Sequence, residues 1–324
     1  MPASDEVKAF LGIDTSCYVT SVALVNAQGD VLLHGRTKLP VKQGELGLRQ
    51  SEAVFAHIRQ LPPLVQRAFA LVREQQLLLC AVGVSDAPRR MQGSYMPVFL
   101  AGVSQAQGLC AAADVPLYTF SHQQGHLRAA EIGQQMPPEY LAVHLSGGTS
   151  EVLCVHRDSW NVEILGGTQD ISAGQCIDRM GVLLGLSFPA GPELETLANK
   201  AQGETAPIGI PVQFSSFHFS GAEAEIKRRL ARGEDAAQLA RALFLSIARA
   251  LAKAICQAYE KTGLKHVLVG GGVAANRIVA QELARQLQKR CRAVRLHMAD
   301  PRYAGDNAVG TALLAKEMEE RDAQ

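Results

Sequence analysis

The sequence lacks most of the features that would place a protein in a class at a glance. Its formal net charge is only +1, from 32 Lys and Arg against 31 Asp and Glu. Whole-surface charge therefore gives no reason for tight binding to nucleic acid. The seven cysteines are scattered and form no CxxC pair, which argues against a zinc ribbon or a disulfide framework and fits a reducing compartment. No run approaches the roughly 20 apolar residues that cross a membrane. The N-terminus "MPASDEVKAFLGIDTS" carries acids and lacks the apolar core of a signal peptide. GxSxG is absent, so there is no hydrolase elbow, and HExxH is absent, which weakens a metalloprotease reading. These absences leave a cytoplasmic, globular chain of 324 residues, 47% hydrophobic and 19% charged, with enough material for one large domain or two lobes.

What is present repeats itself. The chain opens with a strand, a turn and a strand, "VKAFLGIDTS" then "YVTSVALVNAQGDVLLHGRTKL", where "NAQGD" (26–30) has hairpin chemistry. A helical pattern follows over "RQSEAVFAHIRQLPPLVQRAFALVREQQ", expected to be interrupted at Pro62 and Pro63. Then come a buried strand "LLLCAVGVSDA", a helix, and the strand "PLYTF". The second half opens the same way with "EYLAVHLSGGTSEVLCVHRD" and later feeds the strand "HVLVGG" into a helix. This duplication predicts two similar α/β lobes facing each other across a cleft. Residues 1–117 form the first, a C-terminal helix 308–324 packs back on it, and residues 118–307 form the second. Polar turns from both lobes, "DTSCYVTS" and "LSGGTSE", offer backbone N–H groups of the kind that cradle phosphate.

Several side chains carry candidate chemistry, each beside a plainer explanation. In "TFSHQQGHLRAA" (119–130), His122 and His126 are spaced to share one helix face and grip one ion, or are two incidental histidines. Asp306 of "GDNAVG" would complete a two-histidine, one-carboxylate set suited to iron(II) or zinc; alternatively Asp306 or Asn307 caps the helix behind it. In "VLVGGGVAANR", Gly271 and Gly272 stand between strand and helix, where a backbone approaches phosphate or ribose, or simply turns. This is neither a Walker A loop nor GxGxxG. Asp178 could accept hydrogen bonds from a nucleoside, or pair with Arg179. The basic stretches "KRRLARG" and "RQLQKRCRAVR" could supply local RNA contacts or serve as solvated helix faces.

Taken together, "LGIDTSC", "HQQGH", "LSGGTS", "AGQCIDRMGVLLGLSFPAGPELE", "FHFSGAEAEIKR", "GGGVAANR" and "GDNAVG" resemble the TsaD family nearly end to end. This family was once labelled glycoprotease or O-sialoglycoprotein endopeptidase. The resemblance implies two ribonuclease H-like lobes of the actin-like ATPase (ASKHA) superfamily. It implies one divalent metal, Fe2+ or Zn2+, on His122, His126 and Asp306. It also implies an adenine nucleotide or acyl-adenylate held by the turn His144, Leu145, Ser146, Gly147 and Gly148 together with Asp178, Gly191, Gly271, Gly272 and Asn276. The family's reaction passes a threonylcarbamoyl group from its adenylate to N6 of adenosine 37 in tRNA. Implied partners are tRNA, a smaller TsaD-like paralog lacking the metal triad, an ATPase and the enzyme that supplies the adenylate.

The chain departs from the family pattern in four places. Tyr18 and Val19 replace the usual Asp-Glu after the first-turn cysteine, and Asp14 stands where glutamate is usual. A loop "SDAPRRMQGSYMP" (85–97), with Arg89 and Arg90, replaces a GPG loop, and no histidine follows the glycines of "SGGTS". The altered first turn keeps open an alternative, a paralog that binds metal and nucleotide but acts as a regulator or assembly partner.

Overall fold

Alternation of apolar and small polar residues gives strands, and helical apolar spacing between them gives covering helices. The computed structural model describes residues 7–16, 18–40 and 49–323; Cys17 of the first motif lies outside them. The chain divides into two compact units, Met1–Ala129 with Asp306–Gln324, and Ala130–Gly305. The division falls after Ala129 rather than after residue 117, so the segment bearing both motif histidines belongs with the first unit.

The first unit has strands β1 (Lys8–Asp14), β2 (Val19–Asn26), β3 (Val31–Lys38), β4 (Leu78–Ala87) and β5 (Leu117–Ser121), in the order β3-β2-β1-β4-β5. The β1–β2–β3 meander is antiparallel; β4 and β5 add in parallel. Helices α1 (Gln50–Glu74) and α2 (Phe99–Ala113) cover the face that carries Leu11, Ile13, Val82 and Val84. The short α3 (His122–Ala130) follows β5 directly, and the C-terminal helix α9 (Val309–Asp322) packs on the opposite face of β1 and β4. Seven residues of α9, Val309 to Ala315, are buried in unbroken sequence, which fixes its start against the sheet.

Helix α1 runs through Pro62 and Pro63 without a break, which corrects the expected interruption. A proline removes the hydrogen bond to the carbonyl four residues back. Here those carbonyls belong to Ile58 and Arg59, which are exposed, as are the prolines themselves. The stripped acceptors therefore belong to residues on the exposed side of the helix, while Leu61, Leu64 and Val65 keep the buried side in the core.

The second unit repeats the plan. Strands β6 (Glu139–Leu145), β7 (Ser150–His156), β8 (Asn161–Gly167), β11 (His266–Gly270) and β12 (Arg295–Met298) lie in the order β12-β11-β6-β7-β8. The first three are antiparallel, and β11 and β12 are parallel additions. The helices are α4 (Ala173–Leu183), α5 (Gly191–Ala198), α6 (Ser220–Ala231), α7 (Ala236–Thr262) and α8 (Arg277–Arg290). A two-stranded hairpin, β9 (Val212–Gln213) with β10 (Ser216–Phe217), completes it. Helix α7 is the centre of the core, with 15 buried residues, among them Leu243, Phe244, Ile247 and Leu251. Among the described residues no helix is long and apolar enough to cross a membrane.

Candidate metal centre and glycine turns

The first turn of α3 begins as β5 ends, so His122 is the first helical residue and His126 lies one turn on, above it. The helix sits unusually close to α9. A Cβ on Gly310 would fall 1.8 Å from the Gly125 carbonyl oxygen, and one on Gly125 would fall 2.9 Å from Thr311 Oγ1. Gly310 above all, and Gly125 at a cost to α3 as a helix, therefore let α3 seat against the first turn of α9 and the residues preceding it. Asp306 lies in those residues. Asn307, not Asp306, accepts from Val309 N at 3.0 Å, so the helix start does not consume the Asp306 carboxylate.

His122 Nε2 and His126 Nε2 are 2.9 Å apart, and Asp306 Oδ1 stands 3.3 Å from His126 Nε2 and 3.6 Å from His122 Nε2. Among the described residues this is the one group of three or more His, Cys, Asp or Glu side chains whose ligand atoms all lie within 4.8 Å of one another. The three separations define a triangle with a circumscribed radius of about 1.9 Å, just short of the about 2.0–2.2 Å of zinc bonds to imidazole or carboxylate. Single-ion reach to all three atoms would thus be possible with these residues as ligands. The donor set fits: two neutral imidazoles and a carboxylate suit iron(II) or zinc.

Asp14, the last residue of β1 and one of the four departures, is a member of this cluster that the sequence alone did not connect with the metal ligands. Its Oδ1 lies 2.9 Å from His122 Nδ1, and its Oδ2 accepts from Ser16 Oγ at 2.7 Å and Ser16 N at 3.3 Å. Burial opposes charge on both partners, but the pairing prevails: Asp14 is held below the ordinary carboxylate value and His122 well above that of a free imidazole. Asp306 follows the same logic. Burial pushes its acid up, and the two imidazoles hold it well below the usual range. The only sequence signal for Asp14 was an acid at a strand end; the contact spans 108 residues.

Of the other three departures, two are visible nearby. Val19 is buried in β2 and Tyr18 is exposed, so neither brings a carboxylate to the first turn. The 85–97 loop is tied to the start of α3, where Gln123 N donates to the Pro88 carbonyl at 3.1 Å, and Arg90 pairs with Asp86 at 2.8 Å.

In the second unit, the parallel pairing of β6 and β11 sets His144 beside Gly270, so the His144–Gly148 segment and Gly271–Gly272 leave the sheet side by side. Gly271 has φ +95°, and a Cβ there would lie 2.2 Å from the Leu145 carbonyl oxygen, so only glycine fits. Ser146 Oγ accepts from Gly148 N at 3.2 Å and Thr149 N at 3.0 Å, closing the turn on itself. Ser172, which caps α4 in a reciprocal box with Gln175, donates its hydroxyl to the Gly147 carbonyl at 2.7 Å. Asn276 caps α8, its Oδ1 accepting from Val279 N at 2.9 Å; its amide nitrogen donates to nothing among the described residues.

Asp178 does not pair with Arg179, which reaches Glu223 instead at 3.2 Å. It accepts from Ala190 N at 2.8 Å, holding the residue before Gly191 and α5, and its half-buried position pushes its acid up. Glu195 of α5 in turn accepts from Arg277 N at 2.8 Å, joining α5 to the start of α8. The two basic stretches differ. Lys227, Arg228 and Arg229 each pair with an acid, Glu223, Glu225 and Glu234, so that stretch is a neutralised helix face. Lys289, Arg290, Arg292 and Arg295 are exposed, and none pairs with an acid among the described residues.

Comparison with solved structures gives the class first. HypF of T.kodakarensis aligns with 98% of this chain and 48% of its own, at 15% identity and a TM-score of 0.63. The activator of the 2-hydroxyisocaproyl-CoA dehydratase from Clostridium difficile, solved with bound ADPNP, aligns with 98% of this chain and 97% of its own, at 13% identity and a TM-score of 0.54. At such identities the likeness concerns the fold, which is of the actin-like ATPase and sugar-kinase (ASKHA) type. The family model of TsaD, tRNA N6-adenosine threonylcarbamoyltransferase, matches residues 39–313. The enzyme of that name from Thermus thermophilus is 34% identical over 274 residues, 84% of this chain and 82% of its own. The chain belongs to the TsaD family and is a transferase of the tRNA-modifying kind. Nothing in the fold or the comparisons favours a non-catalytic paralog over this.

Proposed function

We propose that the reaction is a metal-dependent transfer of a threonylcarbamoyl group from threonylcarbamoyl-adenylate to N6 of adenosine 37 in tRNA. His122, His126 and Asp306 hold the metal, and the observation that carries this reading is the convergence of their three ligand atoms at single-ion spacing. When bound, the divalent ion, iron(II) or zinc, supplies a Lewis acid for the carbamoyl carbonyl. Asp306 would contribute negative charge to the centre, and the two imidazoles, carried one turn apart on α3, would contribute neutral donors.

The adenylate is read by the His144–Gly148 turn, Gly271, Gly272, Asn276, Asp178 and Gly191. Support comes from the glycine geometry at the ends of β6 and β11, and from the Asn276 amide nitrogen, which the α8 cap leaves available. Transfer to tRNA draws on Lys289, Arg290, Arg292 and Arg295 rather than on 227–229, because only the former are not offset by acids. A small paralog as partner is supported by the solvent face of α1. Phe55 and Ile58 are 62% and 55% exposed there, at the spacing of one apolar helix stripe with the two prolines beyond.

The test is reconstitution with tRNA, threonine, bicarbonate, ATP and the companion proteins, followed by nucleoside analysis. Threonylcarbamoyladenosine should form with wild-type protein and fail to form with His126→Ala or Asp306→Ala. Absence of the modified nucleoside with wild-type protein, under conditions where a family relative makes it, sinks the proposal.

A further inference from the structure

The Asp14 carboxylate is fully engaged, and its engagement is directional. Oδ2 is taken by the Ser16 hydroxyl and amide, Oδ1 faces His122 Nδ1, and the residue is 1% exposed. The backbone beneath it is pinned as well, since Asp14 pairs with Ser21 in the β1–β2 register. A carboxylate clamped on one oxygen cannot swing to become a ligand itself. What it does is fix the ring opposite. An imidazole whose Nδ1 lies 2.9 Å from a carboxylate oxygen would, once Nε2 is given to an ion, keep its one proton on Nδ1. The Nε2 lone pair is then directed at His126 Nε2 and Asp306 Oδ1, where the ion would sit.

We infer that Asp14 is the positioning residue of the metal centre: it selects the His122 tautomer, strengthens Nε2 as a donor, and supplies a second negative charge, this one buried. The charge count supports this, because Asp14 and Asp306 together offset a dication, whereas the partly exposed Asp306 alone leaves the site net positive. This inference rests on the metal reading of the preceding section. Aspartate is a short side chain, so its reach to His122 depends on the seat of the β1 end.

The experiment measures Zn2+ affinity of the full-length protein by competition with a chromophoric chelator, for wild type, Asp14→Asn, Asp14→Ala, Asp14→Glu, His126→Ala and Asp306→Ala. Asp14→Asn and Asp14→Ala should weaken Zn2+ binding by about 10–100-fold, the usual cost of losing an outer-shell partner of a ligating histidine. Asp14→Glu should restore part of the loss. In the Zn2+-loaded protein, long-range 15N correlation spectra should show His122 protonated on Nδ1 in wild type and a loss of that single form in Asp14→Asn, a change that a purely structural role would not produce. Asn is isosteric and keeps an acceptor for Ser16, so a thermal melt close to wild type will certify the fold even where Asp14→Ala fails to fold. If Asp14→Asn stays folded and binds Zn2+ within about twofold of wild type while His126→Ala loses it, the positioning role is overturned and the metal site stands. If His126→Ala and Asp306→Ala also keep wild-type affinity, both the metal reading and this inference fall.

Discussion

The two groups of candidate residues, one in each unit, are built in opposite ways. In the first unit, His122, His126, Asp306 and Asp14 gather their side chains chiefly around one another. In the second, each candidate also has a folding task. Ser146 closes the β6–β7 turn, Asn276 caps α8, Asp178 holds the residue before α5, and Gly271 clears the Leu145 carbonyl. The first arrangement gathers buried charge that is tolerable because it is paired, and better relieved by a cation. The second recruits backbone that the fold already needs. Substitutions should therefore separate function from stability in the first unit and entangle them in the second.

The largest expected effect tests the first half of that contrast. Asp306→Ala should abolish metal binding and lower tRNA modification by at least about a hundredfold. Its melting temperature without added metal should stay near wild type, because the α9 start is closed by Asn307 and not by the carboxylate removed. Metal analysis and calorimetry on one preparation decide it; a collapse of the melt would show that the cluster is structural.

Gly271→Ala is the converse. With φ at +95° and a Cβ only 2.2 Å from the Leu145 carbonyl oxygen, alanine forces β6 and β11 apart. A loss of about 2–4 kcal/mol follows from the strain and overpacking together. Chemical denaturation of the variant measures it, and a near-wild-type midpoint would mean the two strand ends are looser than the geometry implies.

Much of this was legible in the chain. The duplicated strand-turn-strand plan is visible because hairpin signals such as "NAQGD" and "LSGGTS" depend on neighbouring residues, and both sheets follow it. His122 and His126 are visible because a four-residue spacing has local meaning. Asp14 was not, since its role is set by a partner 108 residues away. Nor was the partner of Asp178, because the choice between Arg179 and the Ala190 amide depends on how α4 and α5 meet. The prolines of α1 misled for a different reason: proline's cost depends on whether the stripped carbonyls face water, and burial of individual residues is a tertiary property.

A smaller effect concerns acid stability in the second unit. The Asp170 carboxylate accepts from the Phe219 and Ser220 amides at 2.9 and 3.0 Å and from the Ser220 hydroxyl at 2.6 Å, clamping the start of α6. Burial acts against its charge, but these donors prevail and bring its pKa down to about 2. A depressed carboxylate contributes stability that is fully present above its ordinary value, about 4, and is lost as pH falls towards about 2. Asp170→Asn should therefore cost about 1 kcal/mol at neutral pH, allowing for solvent screening, with the gap to wild type closing between about pH 4 and pH 2. Denaturation curves at three pH values test this, and a gap that widens in acid reverses the sign and refutes it.

The finest discrimination lies at Asn276, where the observed cap and the proposed ligand contact would share one side chain. Its Oδ1 serves Val279 N, and its amide nitrogen is the group proposed to face an adenylate. Asn276→Ala should lose the cap, about 1 kcal/mol, together with adenine-nucleotide affinity. Asn276→Asp keeps a good capping acceptor but replaces the donor with a negative charge, so it should keep the stability and lose the affinity. Calorimetric titration with AMP and ADP beside thermal melts separates the two. If Asn276→Asp binds nucleotide as wild type does, Asn276 is a cap alone, and the second unit's candidates owe their arrangement to folding rather than to a ligand.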